Sequence, residues 1–73
     1  MNLLTVNEYA DKSKEHYLLG IHDAEKKYKE LSSQELDDVL RKLQKQHTAI
    51  MNDEMEKQYL AGKIHYVSKR LTE

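Results

Sequence analysis

Ile50-Met51-Asn52-Asp53-Glu54-Met55-Glu56 is the stretch on which the architecture turns. Before it, an apolar column runs Leu36, Leu43, Ile50, and after it the same column continues in phase as Lys57, Ile64, Leu71. A companion column reads Val39/Leu40, His47, Asp53/Glu54, Leu60/Ala61, Val67. Phase kept across the stretch predicts one long helix over about 34–71, with a polar layer between Asp53 and Lys57 and a kink near Asn52. The rival reading is a break, because Asn52-Asp53 followed by Glu56 has the form of a fresh helix cap; the chain then has three helices. The single long helix is preferred on phase.

Working toward the N-terminus, Ser32-Ser33 is the clearest punctuation in the chain. Ser32 with Glu35 makes a capping box immediately before the second stripe begins, and a turn here folds the helices on either side into antiparallel neighbours. Upstream, Thr5 with Glu8 makes another such box and opens a first helix over about 5–31. Its columns are Leu3, Ala10, Tyr17, Ala24, Leu31 and Val6, Ser13, Gly20/Ile21, Lys27/Tyr28. Glu8–Lys12 and Glu25–Lys29 stand four apart in the favourable order on the polar faces. Gly20 could cap and end this helix, but the stripe keeps its phase across it, and a continuous helix is expected despite a cost of about 1 kcal/mol for a mid-helix glycine.

The fold class is therefore all-α, a long helical hairpin in a single helical domain over 1–73. Composition agrees: proline is absent, glycine occurs twice and 34% of the residues are charged. Twelve Lys and Arg against thirteen Asp and Glu leave a formal charge of −1, so direct nucleic-acid binding is not expected. No cysteine is available for a disulfide or a thiolate metal site, which fits a reducing compartment. The uncharged stretch Met1 to Asn7 is too short for a signal peptide core or a membrane span. A cytoplasmic location is expected.

A two-helix hairpin encloses no core, since each stripe has one neighbour and one wet side. The remedies are a third helix, made by folding back near Asn52, or association with a second copy or a partner. The C-terminal half carries apolar surface to spare: beside its core stripe, Met51, Met55, Tyr59, Gly62 and Tyr66 form a second ribbon. Methionine adapts its shape to a partner, and tyrosine brings large area with a polar tip. Met51, Met55, Tyr59 and Tyr66 are thus the expected partner-binding residues. Leu18 and Leu19, adjacent and off the first stripe, mark a second contact surface or a local break at Gly20.

Chemistry-bearing patterns are lacking. His16, His22, His47 and His65 have no second histidine at helical ligand spacing, and no Glu-x-x-His occurs; no metal and no cofactor are expected. The acidic neighbours Asp37-Asp38 and Asp53-Glu54 point apart on a helix. No phosphate loop, nucleophile elbow or zinc-peptidase signature appears, and so short a chain lacks the walls of a pocket, so neither an enzyme nor a small-molecule substrate is expected. His47, in a core column, reads as a polar layer that fixes register.

Two resemblances add to this. Leu4-Thr5-Val6-Asn7-Glu8-Tyr9 and Tyr28-Lys29-Glu30-Leu31-Ser32-Ser33-Gln34-Glu35-Leu36 resemble segments of the Hha family of small helical bacterial proteins, with a shift in the spacing between them and no match beyond Leu36. That resemblance implies an accessory protein bound to a nucleoid protein. Ile64-His65-Tyr66-Val67 at the end of a helical hairpin is similar to the small co-chaperones of type III secretion needle subunits, which implies a chaperone-like role. From the residues themselves, the expected function is a non-catalytic protein–protein interaction module. It would be a small regulator, inhibitor or chaperone-like adaptor that presents its C-terminal helix to a protein partner, to a second copy as a homodimer, or to both.

Overall fold

The computed structural model describes residues 6–73, with side chains from Lys12 onward. The Thr5–Glu8 capping box, the Glu8–Lys12 pair and the side chains of Leu3, Ala10 and the Hha-like segment Leu4–Tyr9 lie outside what is described. The fold is all-helical, with three helices: α1 (Val6–Tyr28), α2 (Ser33–Ala49) and α3 (Glu54–Thr72).

The α1 helix passes through Gly20 without a break, as its stripe requires. Its chain reversal falls where Ser32 stands. The Ser32 hydroxyl accepts from the Glu35 N–H, and the Glu35 carboxylate accepts from the Ser32 N–H, so two otherwise orphaned donors are satisfied. The bond from the Ser32 N–H, and then the Ser32 hydroxyl beside it, holds the Glu35 carboxyl below the usual carboxylate range.

The single long second helix is not formed. α2 ends at Ala49, Ile50 turns to an extended backbone at φ −80° and ψ 123°, and Asp53 caps a new helix by accepting from the Glu56 N–H at 3.0 Å. Phase was a poor guide here for a simple reason. The four residues Ile50–Asp53 amount to about one helical turn, so the apolar columns fall back into register across the break. The gain from breaking is burial, since α3 turns back and lays its second ribbon against α1.

The resulting order is not three helices each touching two others. α3 packs on both α1 and α2, while α1 and α2 scarcely touch. Ser13 meets Met55, Gly20 meets the Tyr59–Lys63 backbone and the Lys29 carbonyl meets Arg70, so α1 and α3 run parallel. On the α3 wheel, Met55, Gly62 and Tyr66 lie about 140° from Leu60, Val67 and Leu71, at about 100° per residue. α3 is the middle of the trio, and the antiparallel α1–α2 packing expected from the Ser32 turn is replaced by a gap over α3. The core is Ala24, Tyr28, Leu36, Leu43, Leu60 and Val67, with Leu31, Val39, Leu40, Ile50, Ile64, Tyr66 and Leu71 packed around it. All but Tyr66, which belongs to the second ribbon, are stripe positions of the sequence.

The chain's two glycines sit at the α1–α3 crossing. A Cβ on Gly20 would collide with the Tyr59 carbonyl oxygen, and one on Gly62 with the Tyr17 carbonyl oxygen. The obstacle is backbone in both cases, which a rotamer change cannot relieve. Glycine is needed here for approach, not for conformation.

Candidate functional site

The ribbon singled out from sequence faces α1. Met55 takes a long contact from the Ser13 hydroxyl, Oγ to Sδ 3.9 Å. The Tyr59 hydroxyl donates to Asp23 Oδ2 at 2.5 Å, the length of a hydrogen bond to an ionised acceptor. That bond, then partial burial, pushes the Tyr59 phenol up to about 12. The Tyr66 hydroxyl accepts from Arg70 Nη1 at 2.8 Å, and the same nitrogen donates to the Lys29 carbonyl at 3.0 Å, tying the end of α3 to the end of α1. Met55, Tyr59 and Tyr66 are each half-buried. The other three residues expected to bind a partner are open: Met51, in the α2–α3 corner, is 88% exposed, and Leu18 and Leu19 on α1 are 52% and 47% exposed.

Among the described residues, two hollows stand out on the surface. One, of about 350 Å³, lies between α1 and the end of α3, where Glu25 and Glu73 mix with Lys69 and Arg70 beside His65. Its charges are already balanced, and Arg70 lies 3.9 Å from Glu73. The other, of about 370 Å³, is the gap between α1 and α2 above α3. Its polar rim is Lys27 from α1, Lys42 and Gln46 from α2, and Lys63 from α3; Tyr28, Val39 and Leu43 form its apolar floor.

The same local rule puts each lysine on the rim. Lys27, Lys42 and Lys63 immediately precede Tyr28 and Leu43 of the core and Ile64 packed against it, and a helical residue next to such a position lies at the edge of the buried face. Lys63 is the most confined: its Nζ stands over the Tyr59 ring, 4.5 Å from the centroid. Burial of the ammonium, reinforced by repulsion from Lys27, holds Lys63 below the usual lysine range, while Asp23 pulls weakly the other way. The sequence reading missed this cleft because its three cations are spread over three helices with no shared spacing. The available signal was the thrice-repeated lysine before a stripe position.

Among the described residues no three His, Asp or Glu side chains gather as a metal site, and no helix is long and apolar enough to cross a membrane. No family model, curated protein or solved structure matches the chain. Of the segments that carried the two resemblances, Tyr28–Leu36 forms the α1–α2 turn. Ile64–Val67 lies in mid-α3, with Val67 in the core and His65 turned outward against the Tyr17 ring at 5.8 Å.

Proposed function

We propose that this chain is a non-catalytic protein-interaction module, a small helical regulator or adaptor that offers a preformed surface to another protein or to a second copy of itself. The observation that carries the reading is the exposure of Leu18 and Leu19 on a helix whose inward face is sealed, with Ala24 at 0%. At about 100° per residue the two leucines straddle the direction opposite α3, so packing within the trio covers neither of them. Adjacent large aliphatics among Glu15, His22 and Lys26 make an apolar centre with a charged rim, the anatomy of an interface. Exposed Met51 adds an adaptable apolar contact.

The C-terminal helix offers a partner less than its sequence promised. Met55, Tyr59 and Tyr66 pack on α1, and only their outer edges remain for a partner. The third helix also supplies a core without a second copy, which weakens the motive for an obligate homodimer.

The test is the double substitution Leu18→Ser with Leu19→Ser. Its helicity and melting temperature should match the parent, because neither leucine is packed. Self-association in sedimentation equilibrium, or retention of the partner by the tagged chain in its own cells, should be lost. Unchanged association together with unchanged retention refutes the reading, as does a melting temperature that falls as far as for a core truncation.

A further inference from the structure

We propose that the cleft between α1 and α2 is a docking site for an acidic segment of a protein partner, which lays an apolar side chain over Val39 and the outer edges of Tyr28 and Leu43 and its carboxylates on Lys27, Lys42 and Lys63. This rests on the interaction reading above and adds the chemistry of what is bound.

The lysines of this cleft leave their charge unbalanced. The chain holds thirteen acidic residues for twelve basic ones, so carboxylates are plentiful. The ion pairs formed among the described residues, Arg41–Asp37 and Arg70–Glu73, lie elsewhere, and none of the three rim lysines has a described carboxylate within 4.0 Å. No acidic side chain lines the cleft. The nearby Asp23 is engaged by the Tyr59 hydroxyl. Three like charges around one concavity repel each other, and confinement of Lys63 adds to the cost. An incoming anion relieves both effects.

The floor decides which anion. An apolar base with cations around it complements a segment that alternates aliphatic and acidic side chains, and about 370 Å³ accommodates one large aliphatic side chain with flanking carboxylates. A nucleic acid is served less well, because the Tyr28 ring is buried and offers no stacking face, and a chain of net charge −1 does not draw a polyanion from a distance. Lysines, unlike arginines, impose no forked geometry, so they suit carboxylates presented at varied angles. Lys63, already parked on the Tyr59 ring, loses little rotamer freedom on binding.

The experiment is an amide NMR titration of the full chain with three probes. The first is a synthetic peptide of about 15 residues, about four helical turns, with Leu and Glu along one face. The second has Gln in place of every Glu, and the third is inorganic phosphate. The Glu peptide should shift amides around Lys27, Leu43 and Lys63, weaken with added salt, and bind about tenfold less tightly to Lys42→Gln. Lys42 is exposed on α2, so that variant keeps its fold. The Gln peptide and phosphate should leave these amides in place.

Equal binding of the Glu and Gln peptides overturns the proposal, as does parent-like affinity in the Lys42→Gln, Lys63→Gln double variant. So do saturating cleft shifts with phosphate alone, and the absence of cleft shifts with the Glu peptide. The Leu18→Ser, Leu19→Ser variant should bind the peptide normally. The cleft can therefore fail while the interaction reading stands, and the reverse.

Discussion

Along α3, the flank toward α1 carries Met55, Tyr59, Gly62 and Tyr66, whereas the flank toward α2 carries Leu60, Ile64, Val67 and Leu71. On the first flank two backbones meet through paired glycines, and polar ties from Tyr59 to Asp23 and from Arg70 to the Lys29 carbonyl fix the register. On the second, aliphatic side chains interdigitate with Leu36 and Leu43, and no specific polar bond crosses. One interface is specified by what cannot be added and the other by how much is buried. The two flanks should therefore answer to opposite kinds of substitution.

The largest effect is expected from removing bulk on the α2 side. Leu60→Ala should lower unfolding free energy by about 3 kcal/mol in urea melts, a large share of the total for so small a fold. A loss well under 1 kcal/mol would mean the α2–α3 contact collapses freely and specifies little. Next comes adding bulk on the α1 side. Gly20→Ala and Gly62→Ala should each cost about 2 kcal/mol, even though helix propensity alone favours alanine by about 1 kcal/mol. Stabilisation by either would show that the close crossing does not form.

A volume-conserving exchange sharpens the contrast. Leu43→Met should cost under about 1.5 kcal/mol, less than the single methyl of Gly62→Ala, although it alters more atoms. The smallest effect is the loss of one polar tie. Tyr59→Phe should cost under about 1 kcal/mol at neutral pH, as befits a half-exposed hydrogen bond to a carboxylate. Its pH dependence carries the signature. The folded chain holds the Tyr59 proton until about pH 12, whereas the unfolded chain releases it near 10.0, so the stabilisation is complete below pH 10 and vanishes as pH climbs toward 12. The gap between parent and variant should close over that window; a gap that persists at pH 12 would mean the bond is not the cause.

Much of the fold was legible in the chain. The capping box at Ser32, the unbroken helix through Gly20 and the core columns through Ala24, Leu36, Leu43, Leu60 and Val67 all follow from spacing. The break at Asn52 was legible only as an alternative. Its local signal, Asp53 with a free N–H three residues later at Glu56, competed with a phase argument that a four-residue interruption cannot disturb. Gly62 stands in the ribbon, but nothing in the sequence pairs it with Gly20, because a one-dimensional pattern does not show that two glycines lie across from each other. The rim lysines were illegible for the same reason: their meaning depends on which helices face the gap. Leu18 and Leu19 were legible because an off-stripe apolar pair is a local fact.

The middle position of α3 has a consequence for how the molecule is made. Synthesis delivers α1 and α2 first, and these two helices scarcely touch. Until residues 54–72 have emerged, the nascent chain has two amphipathic helices with nothing to lie against, and the turn at Ser32 can orient them but not join them. Closure is then a single late event, in which α3 enters between both partners and its glycine must find Gly20 before the polar ties can form. A ribosome stalled within α3 would hold an open, adhesive chain, a candidate for chaperone capture until α3 is free to enter between its partners.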